Sequence, residues 1–274
     1  MININKPASN AAILASLRQL SRDIARAQTR IGTGYRINAV SDGAKDWASA
    51  QSIRTGISRQ DTSNDAMTVA KARVDIGIAG LDKITDLLAK IQNLSDSLSP
   101  TATGATLASA QSEIRTYQTQ INTVIQASGF QGRNALAGAS ETVTIGASSA
   151  GTAIRISMTG VDISAAGAQF AAAVAGAMTN ATTVRTIADF AATALAYVAD
   201  YRATLASFSA SLDTQIDFQA TLKSIGETTL GRLVDTDLDA ESAKIAGFQV
   251  RQQLATQALA ITNTSPKNIL ALFK

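Results

Sequence analysis

Apolar residues recur at steps of three and four residues along most of this chain, and this spacing predicts long helices. The first such run ends before Gly32, Thr33 and Gly34, where glycine is suited to the end of a helix. Because its steps are alternately four and three residues, its apolar side chains form one narrow stripe, which is typical of a helix that packs against a partner helix. This N-terminal stripe consists of Ile13, Leu17, Leu20, Ile24, Ala27 and Ile31.

Three further helices are predicted in the middle of the chain. One runs from Ala44 to about Leu98, although Gly77 and Gly80 leave its continuity open. Another covers Leu107 to about Ser128. The longest covers Val184 to Leu222, and we expect Gly226 and Gly231 to mark its end.

A change of period separates the third predicted helix from the longest one. Residues 141–145 and 153–157 alternate apolar and polar side chains, with a turn-like stretch at 146–151 between them. This pattern predicts one β-hairpin near 141–157. The small-residue segment 165–181 fits either a loop or a short helix. The fold class is therefore mainly α, a long antiparallel helical bundle or coiled coil with one small hairpin.

The last segment opens with the acidic positions 235–241, which suit the start of a helix. Two apolar stripes follow on different sides of that helix. The first stripe is Ile245, Phe248, Gln252, Ala255 and Leu259, and the second stripe is Val250, Leu254 and Ile261.

A pair of helices can bury one stripe on each helix but not a second one. We therefore expect the terminal helices to pack against other copies of the chain. The alternative is that the stripes form the core of a single-chain bundle. The residues expected to pack between subunits are Ile13, Leu17, Leu20, Ile24 and Ile31, with Ile245, Phe248, Val250, Leu254, Leu259 and Ile261.

Composition excludes several kinds of chemistry. The 274 residues include no cysteine and no histidine, which removes thiolate nucleophiles, zinc–sulfur sites and the usual neutral-pH general base. The net charge is +3 with no run of basic residues, so we expect no nucleic-acid binding. The longest apolar stretch is too short and too broken to enter a membrane. No convergent catalytic, cofactor or metal set is visible, so we expect no enzyme.

Residues 33–44, TGYRINAVSDGA, resemble the signature that follows the first helix of bacterial flagellins. Phe130–Gly132 and the segment 234–274 also resemble that family. Arg36 and Asp42 could pair to fix a bend in this signature loop, or both could be solvated. The matching signature residues include Gly34, Arg36, Ile37, Asn38 and Asp42.

The resemblance implies a short flagellin without a large outer variable domain, a structural subunit of the flagellar filament. Residues 1–43 and 233–274 would form an inner coiled-coil domain and 44–232 a helical rod domain. The implied partners are other flagellin subunits (in a homo- or hetero-polymer), the filament cap, hook-associated proteins and an export chaperone. The N-terminus lacks the apolar core of a secretory signal, so we expect extracellular delivery without a cleaved signal peptide.

Three other functions are alternatives on the sequence alone. A hook–filament junction protein shares the terminal patterns. A secreted coiled-coil effector or membrane-disrupting protein is the second alternative, and an enzyme is the third.

Overall fold

A computed structural model describes residues 7–99, 101–102, 104–147, 152–163 and 181–271. It confirms the mainly helical fold with one small hairpin. The helices are α1 (Pro7–Thr33), α2 (Ala44–Ser97), α3 (Ala105–Ala127), α4 (Ala181–Val234) and α5 (Leu238–Ala271), with a short 3-10 turn at Val40–Asp42. The strands are β1 (Glu141–Ala147) and β2 (Ala153–Met158).

Helix α4 extends beyond its expected end. It passes through Gly226 and Gly231 and ends at Val234, so the prediction that these glycines mark its end was wrong. A glycine inside a helix costs only about 1 kcal/mol relative to alanine, which a long packed helix tolerates. At Gly231 an added Cβ would lie 2.8 Å from a carboxylate oxygen of Asp235, which is the end of a flexible side chain.

Helix α2 is continuous through Gly77 and Gly80. A Cβ on Gly80 would overlap Ser128 Oγ and lie 2.9 Å from Leu136 Cδ1. A Cβ on Gly77 would lie 3.2 Å from Leu205 Cδ1. These glycines are therefore explained by close packing against the neighbouring segments, and they do not interrupt the helix.

Contacts divide the chain into two units. A terminal unit contains residues 1–56 and 225–274, and a central unit contains residues 57–224, so α2 and α4 each contribute to both. The central unit has one continuous apolar core drawn from α2, α3, α4 and the hairpin. Its largest fully buried side chains include Met67, Leu81, Ile84, Ile91, Ile114, Leu136, Ile187, Leu205 and Leu212.

The hairpin is antiparallel, and Glu141 pairs with Met158 at its open end. A bulge lies between Thr144 and Gly146, and most of the predicted turn lies outside the described residues. The Glu141 side chain is buried and accepts hydrogen bonds from Arg73 Nη1 at 3.2 and 3.3 Å, with Arg133 Nη1 at 3.7 Å. These pairs attach the start of the hairpin to α2. Nearly all of the undecided segment 165–181 also lies outside the described residues.

Candidate assembly site

The terminal helices α1 and α5 pack side by side. They are antiparallel, because Arg30 near the end of α1 contacts Glu241 in the first turn of α5. Asp237 caps α5 by accepting a hydrogen bond from the Ala240 N–H at 3.0 Å, as the acidic opening of this segment predicts. Helices α1 and α5 therefore form a single antiparallel pair.

The sheltered positions of α1 follow the predicted N-terminal stripe. Leu20 and Ala27 are buried, and the remaining members are half-buried: Ile13, Leu17, Ile24 and Ile31. On α5 the first stripe, from here on the paired stripe, is half-buried throughout: Ile245, Phe248, Gln252, Ala255 and Leu259. These two stripes have the spacing of the faces that meet in the α1–α5 pair.

The second stripe of α5 is exposed to solvent. Val250 is 54% exposed, Leu254 59% and Ile261 70%. Phe248 and Val250 are two positions apart, which places them about 200° apart around the helix. The second stripe therefore lies on the side of α5 nearly opposite the paired stripe, and α1 cannot cover both. Exposed apolar surface of this kind is typical of a binding surface.

The signature loop is attached to the junction between α4 and α5. Backbone N–H groups of Arg36 and Ile37 donate to the Val234 carbonyl at 2.6 and 3.3 Å, and the Thr236 N–H donates to the Gly34 carbonyl at 2.9 Å. Gly34 has a φ of +74°, a conformation that glycine adopts without strain. These bonds hold the loop against the junction between α4 and α5.

Ile37 anchors the loop by burial. It packs in a small apolar cluster with Ala50 and Val234, which Trp47, Leu230 and Leu233 extend. All six residues belong to the terminal unit. The cluster joins the loop to the first turns of α2 and the last turn of α4, so three segments of that unit meet around Ile37.

The hypothesis that Arg36 pairs with Asp42 was wrong. The Arg36 guanidinium donates to the Leu233 carbonyl at 2.8 Å and lies 3.4 Å from Asp46. Asp42 Oδ2 instead accepts the backbone N–H groups of Asn38 at 3.1 Å and Ala39 at 3.0 Å. A carboxylate this close in sequence to unpaired N–H groups is better placed to cap a turn than to reach a long side chain.

Glu241 forms a polar contact that the sequence analysis missed. Its side chain is only 5% exposed and accepts hydrogen bonds from Lys244 Nζ at 2.9 Å and Arg30 Nη1 at 3.3 Å. The bonds from Lys244 and Arg30 hold the pKa of Glu241 below its usual value, although burial acts in the opposite direction. The Glu–Lys spacing of three residues was a visible signal, whereas the Arg30 contact depends on the fold.

Groups that could hold a metal are absent from the part of the chain that the structure describes. Within the same described ranges, no helix combines the length and apolar character needed to cross a membrane.

The sequence matches known proteins over nearly its whole length. The family model for the bacterial flagellin N-terminal helical region matches residues 2–141, and that for the bacterial flagellin C-terminal helical region matches residues 188–273. The chain belongs to the bacterial flagellin family. Both terminal helices and the signature loop lie inside these matches.

Individual flagellins align from end to end with this one. Flagellin FljK of Caulobacter vibrioides is 28% identical over 273 residues, which cover 99% of this chain and 98% of the relative. A flagellin of Brucella melitensis is 30% identical over 285 residues, covering all of both chains. The crystal structure of Bacillus cereus flagellin covers 58% of this chain and 88% of its own, with 20% identity and a TM-score of 0.46.

These alignments confirm a flagellin of the short form. The family is a structural one, and this chain is a subunit that polymerises with other flagellin subunits into the flagellar filament outside the cell. None of the reported matches favours the hook–filament junction protein.

Proposed function

We propose that the second stripe of α5 is a contact through which flagellin subunits join in the filament. The supporting observation is the exposure of Val250, Leu254 and Ile261 on the side of α5 opposite the paired stripe. Their burial by a neighbouring subunit would stabilise the polymer by about 25 cal/mol for each Å² of apolar surface removed from water.

The α1–α5 pair also offers surface at its edges. The predicted packing residues Ile13, Leu17, Ile24 and Ile31 are half-buried, as are Ile245, Phe248 and Leu259, while Leu20 is buried. We propose that these residues hold the pair together within one chain and contact neighbouring subunits with their remaining exposed area. In this proposal residues 1–43 and 233–274 form the inner domain of the filament, and 44–232 form the helical rod domain.

Partners beyond flagellin itself belong to the same proposal. An exposed apolar stripe needs cover before assembly, which suits an export chaperone at the C-terminal segment. At filament ends the stripe would meet the cap and the hook-associated proteins. The chain would reach the cell exterior without a cleaved signal peptide, would act as no enzyme, and would enter a homo- or hetero-polymer.

The test is elongation of filament seeds by purified monomer, followed by electron microscopy and sedimentation. Leu254→Asp places a charge in the second stripe and should abolish elongation. Thr256→Asp is the matched control, because position 256 is exposed on the same helix but lies about 160° away around it from position 254. The control should elongate seeds.

Two results would contradict the proposal. One is normal filaments from Leu254→Asp. The other is failure of both variants with unchanged helix content, which would show that any added charge on α5 blocks assembly.

A further inference from the structure

Three pairs of opposite charges link α2 and α4 inside the central unit. Each joins one residue of α2 to one of α4, and all lie beside the apolar interface between the two helices. The pairs are Asp61 with Lys223 at 2.7 Å, Lys71 with Asp213 at 3.2 Å, and Asp82 with Arg202.

The positions of these pairs are regular. Going from one pair to the next, α2 advances 10 and then 11 residues while α4 goes back 10 and then 11. These steps correspond to about three helical turns, so the charges return to the same side of the interface. The sign alternates along each helix: α2 carries minus, plus, minus, and α4 carries plus, minus, plus.

The spacing of apolar positions does not by itself fix the register of these two helices, although Gly77 fits closely against Leu205 in the observed one. Along both helices the buried positions alternate steps of three and four, which is a seven-residue repeat. Sliding α4 by seven residues would therefore bring apolar positions opposite apolar positions again. In α2 these positions are Met67, Ala70, Val74, Gly77, Leu81 and Ile84, and in α4 they are Val198, Tyr201, Leu205, Phe208 and Leu212.

The charged pairs do distinguish these registers. A slide of seven residues, about 10 Å, separates the members of all three pairs. A slide of about three turns brings like charges together, with Lys71 beside Arg202 in one direction and Asp82 beside Asp213 in the other. We propose that these alternating charge pairs select the register in which α2 and α4 pack.

The middle pair has additional support. Lys71 Nζ also donates to Ser209 Oγ at 2.9 Å, and Ser209 Oγ donates to Asp75 Oδ1 at 3.1 Å. Asp75 lies 3.3 Å from Lys71, so four polar groups from the two helices form one network. Charges in such a network contribute more than isolated surface pairs.

Disulfide cross-linking can read the register, since the natural chain has no cysteine. Thr68→Cys with Ile216→Cys is aligned in the observed register, because position 68 is seven residues after 61 and position 216 is seven before 223. Its cross-linking yield in the protein with natural charge pairs is the reference. Thr85→Cys with Ala206→Cys, at two positions outside the polar network, is aligned only after a slide of seven residues. In the observed register that second pair is about 10 Å out of alignment, too far for a disulfide.

The decisive variants reverse the charges. In the monomer, Asp61→Lys, Lys71→Asp and Asp82→Lys together should reduce the first cross-link about ten-fold relative to the second. Adding Lys223→Asp, Asp213→Lys and Arg202→Asp should restore the original ratio. The reference protein and both variants also carry Asp75→Asn, because the aspartate placed at position 71 would otherwise face Asp75 on its own helix.

The six-fold variant keeps the proposal testable if the triple variant does not fold. Restoration in the six-fold variant then supports it, and a six-fold variant that fails to recover the first cross-link overturns it. A folded triple variant that gives only the first cross-link also overturns it.

Discussion

The terminal and central units use the same helical spacing but bury their apolar residues to different extents. In the central unit Ile91 and Leu205 are 0% exposed, whereas in the terminal pair the members of the stripes are mostly half-buried. The central core has α3 and the hairpin packed against α2 and α4. Among the described residues, the terminal stripes pack chiefly against the facing helix of the α1–α5 pair.

The comparison shows that helical spacing alone does not say how much of a stripe is buried in one chain. A layered arrangement encloses side chains from several sides, while a pair of helices leaves most of its perimeter in water. The central unit should therefore be stable as a monomer, and the terminal unit should gain most of its stability when subunits assemble.

The largest effect is expected from removing the second half of α5. Deletion of Leu254–Lys274 takes away Leu254 and Ile261 and should abolish filament formation. Circular dichroism of the monomer should retain the signal of the central helices, because none of their core residues lies in the deleted segment. Normal filaments from this deletion, or global loss of helix, would contradict the division between the two units.

A stability comparison follows from burial. Leu205→Ala in the central core should lower the free energy of unfolding of the monomer by about 2–5 kcal/mol, because the cavity is enclosed. Leu17→Ala, at a half-buried position, should cost less than about 1.5 kcal/mol. Urea unfolding followed by circular dichroism measures both losses of unfolding free energy. Equal losses from the two substitutions would contradict the difference in burial between the two units.

The helices and the hairpin were predictable from the sequence because their signals are local. Spacing of three and four, alternation at 141–157, and glycine at the end of α1 each depend on neighbouring residues. The end of α4 was missed because the helix is stopped by backbone bonds from Arg36 and Ile37, which lie almost 200 residues earlier.

Long-range polar contacts also could not be predicted from the sequence. Glu241 reaches Arg30, and Glu141 reaches Arg73, only after the fold brings their elements together. Arg36 has two acids within ten residues, and sequence distance alone favours Asp42, whereas the geometry of the loop places Asp46 beside the guanidinium. The exposure of the second stripe could be argued in advance because one helix face can meet only one partner helix.

Glu241→Gln should moderately lower the free energy of unfolding of the terminal unit. The folded-state pKa of Glu241 is lowered, so its stabilising effect is present above the ordinary glutamate pKa and is lost as pH falls through the folded value. At neutral pH the substitution should weaken the α1–α5 pair by about 1 kcal/mol. At a pH below the folded value the natural and substituted monomers should differ little.

Trp47, the one tryptophan, reports on this unit because it packs on the Ile37 cluster. Urea unfolding followed by its fluorescence at neutral and acidic pH provides the measurement. Leu17→Ala serves as the control, since it lies in the same unit and its effect should not follow the titration of Glu241. If the natural and Glu241→Gln monomers differ in unfolding free energy by the same amount at acidic and neutral pH, the charge of Glu241 does not stabilise the α1–α5 pair.

The smallest expected effect is the difference in unfolding free energy between substitutions of the two acids near Arg36. Asp42→Ala leaves two backbone N–H groups without their carboxylate and should destabilise the terminal unit by about 1 kcal/mol. Asp46→Asn should cost less than about 0.5 kcal/mol, because its 3.4 Å pair with Arg36 is partly exposed and the Leu233 carbonyl still holds the guanidinium. Trp47 fluorescence in urea resolves the two variants. A larger loss from Asp46→Asn would mean that the ion pair, and not the capped turn, fixes the loop against the end of α4.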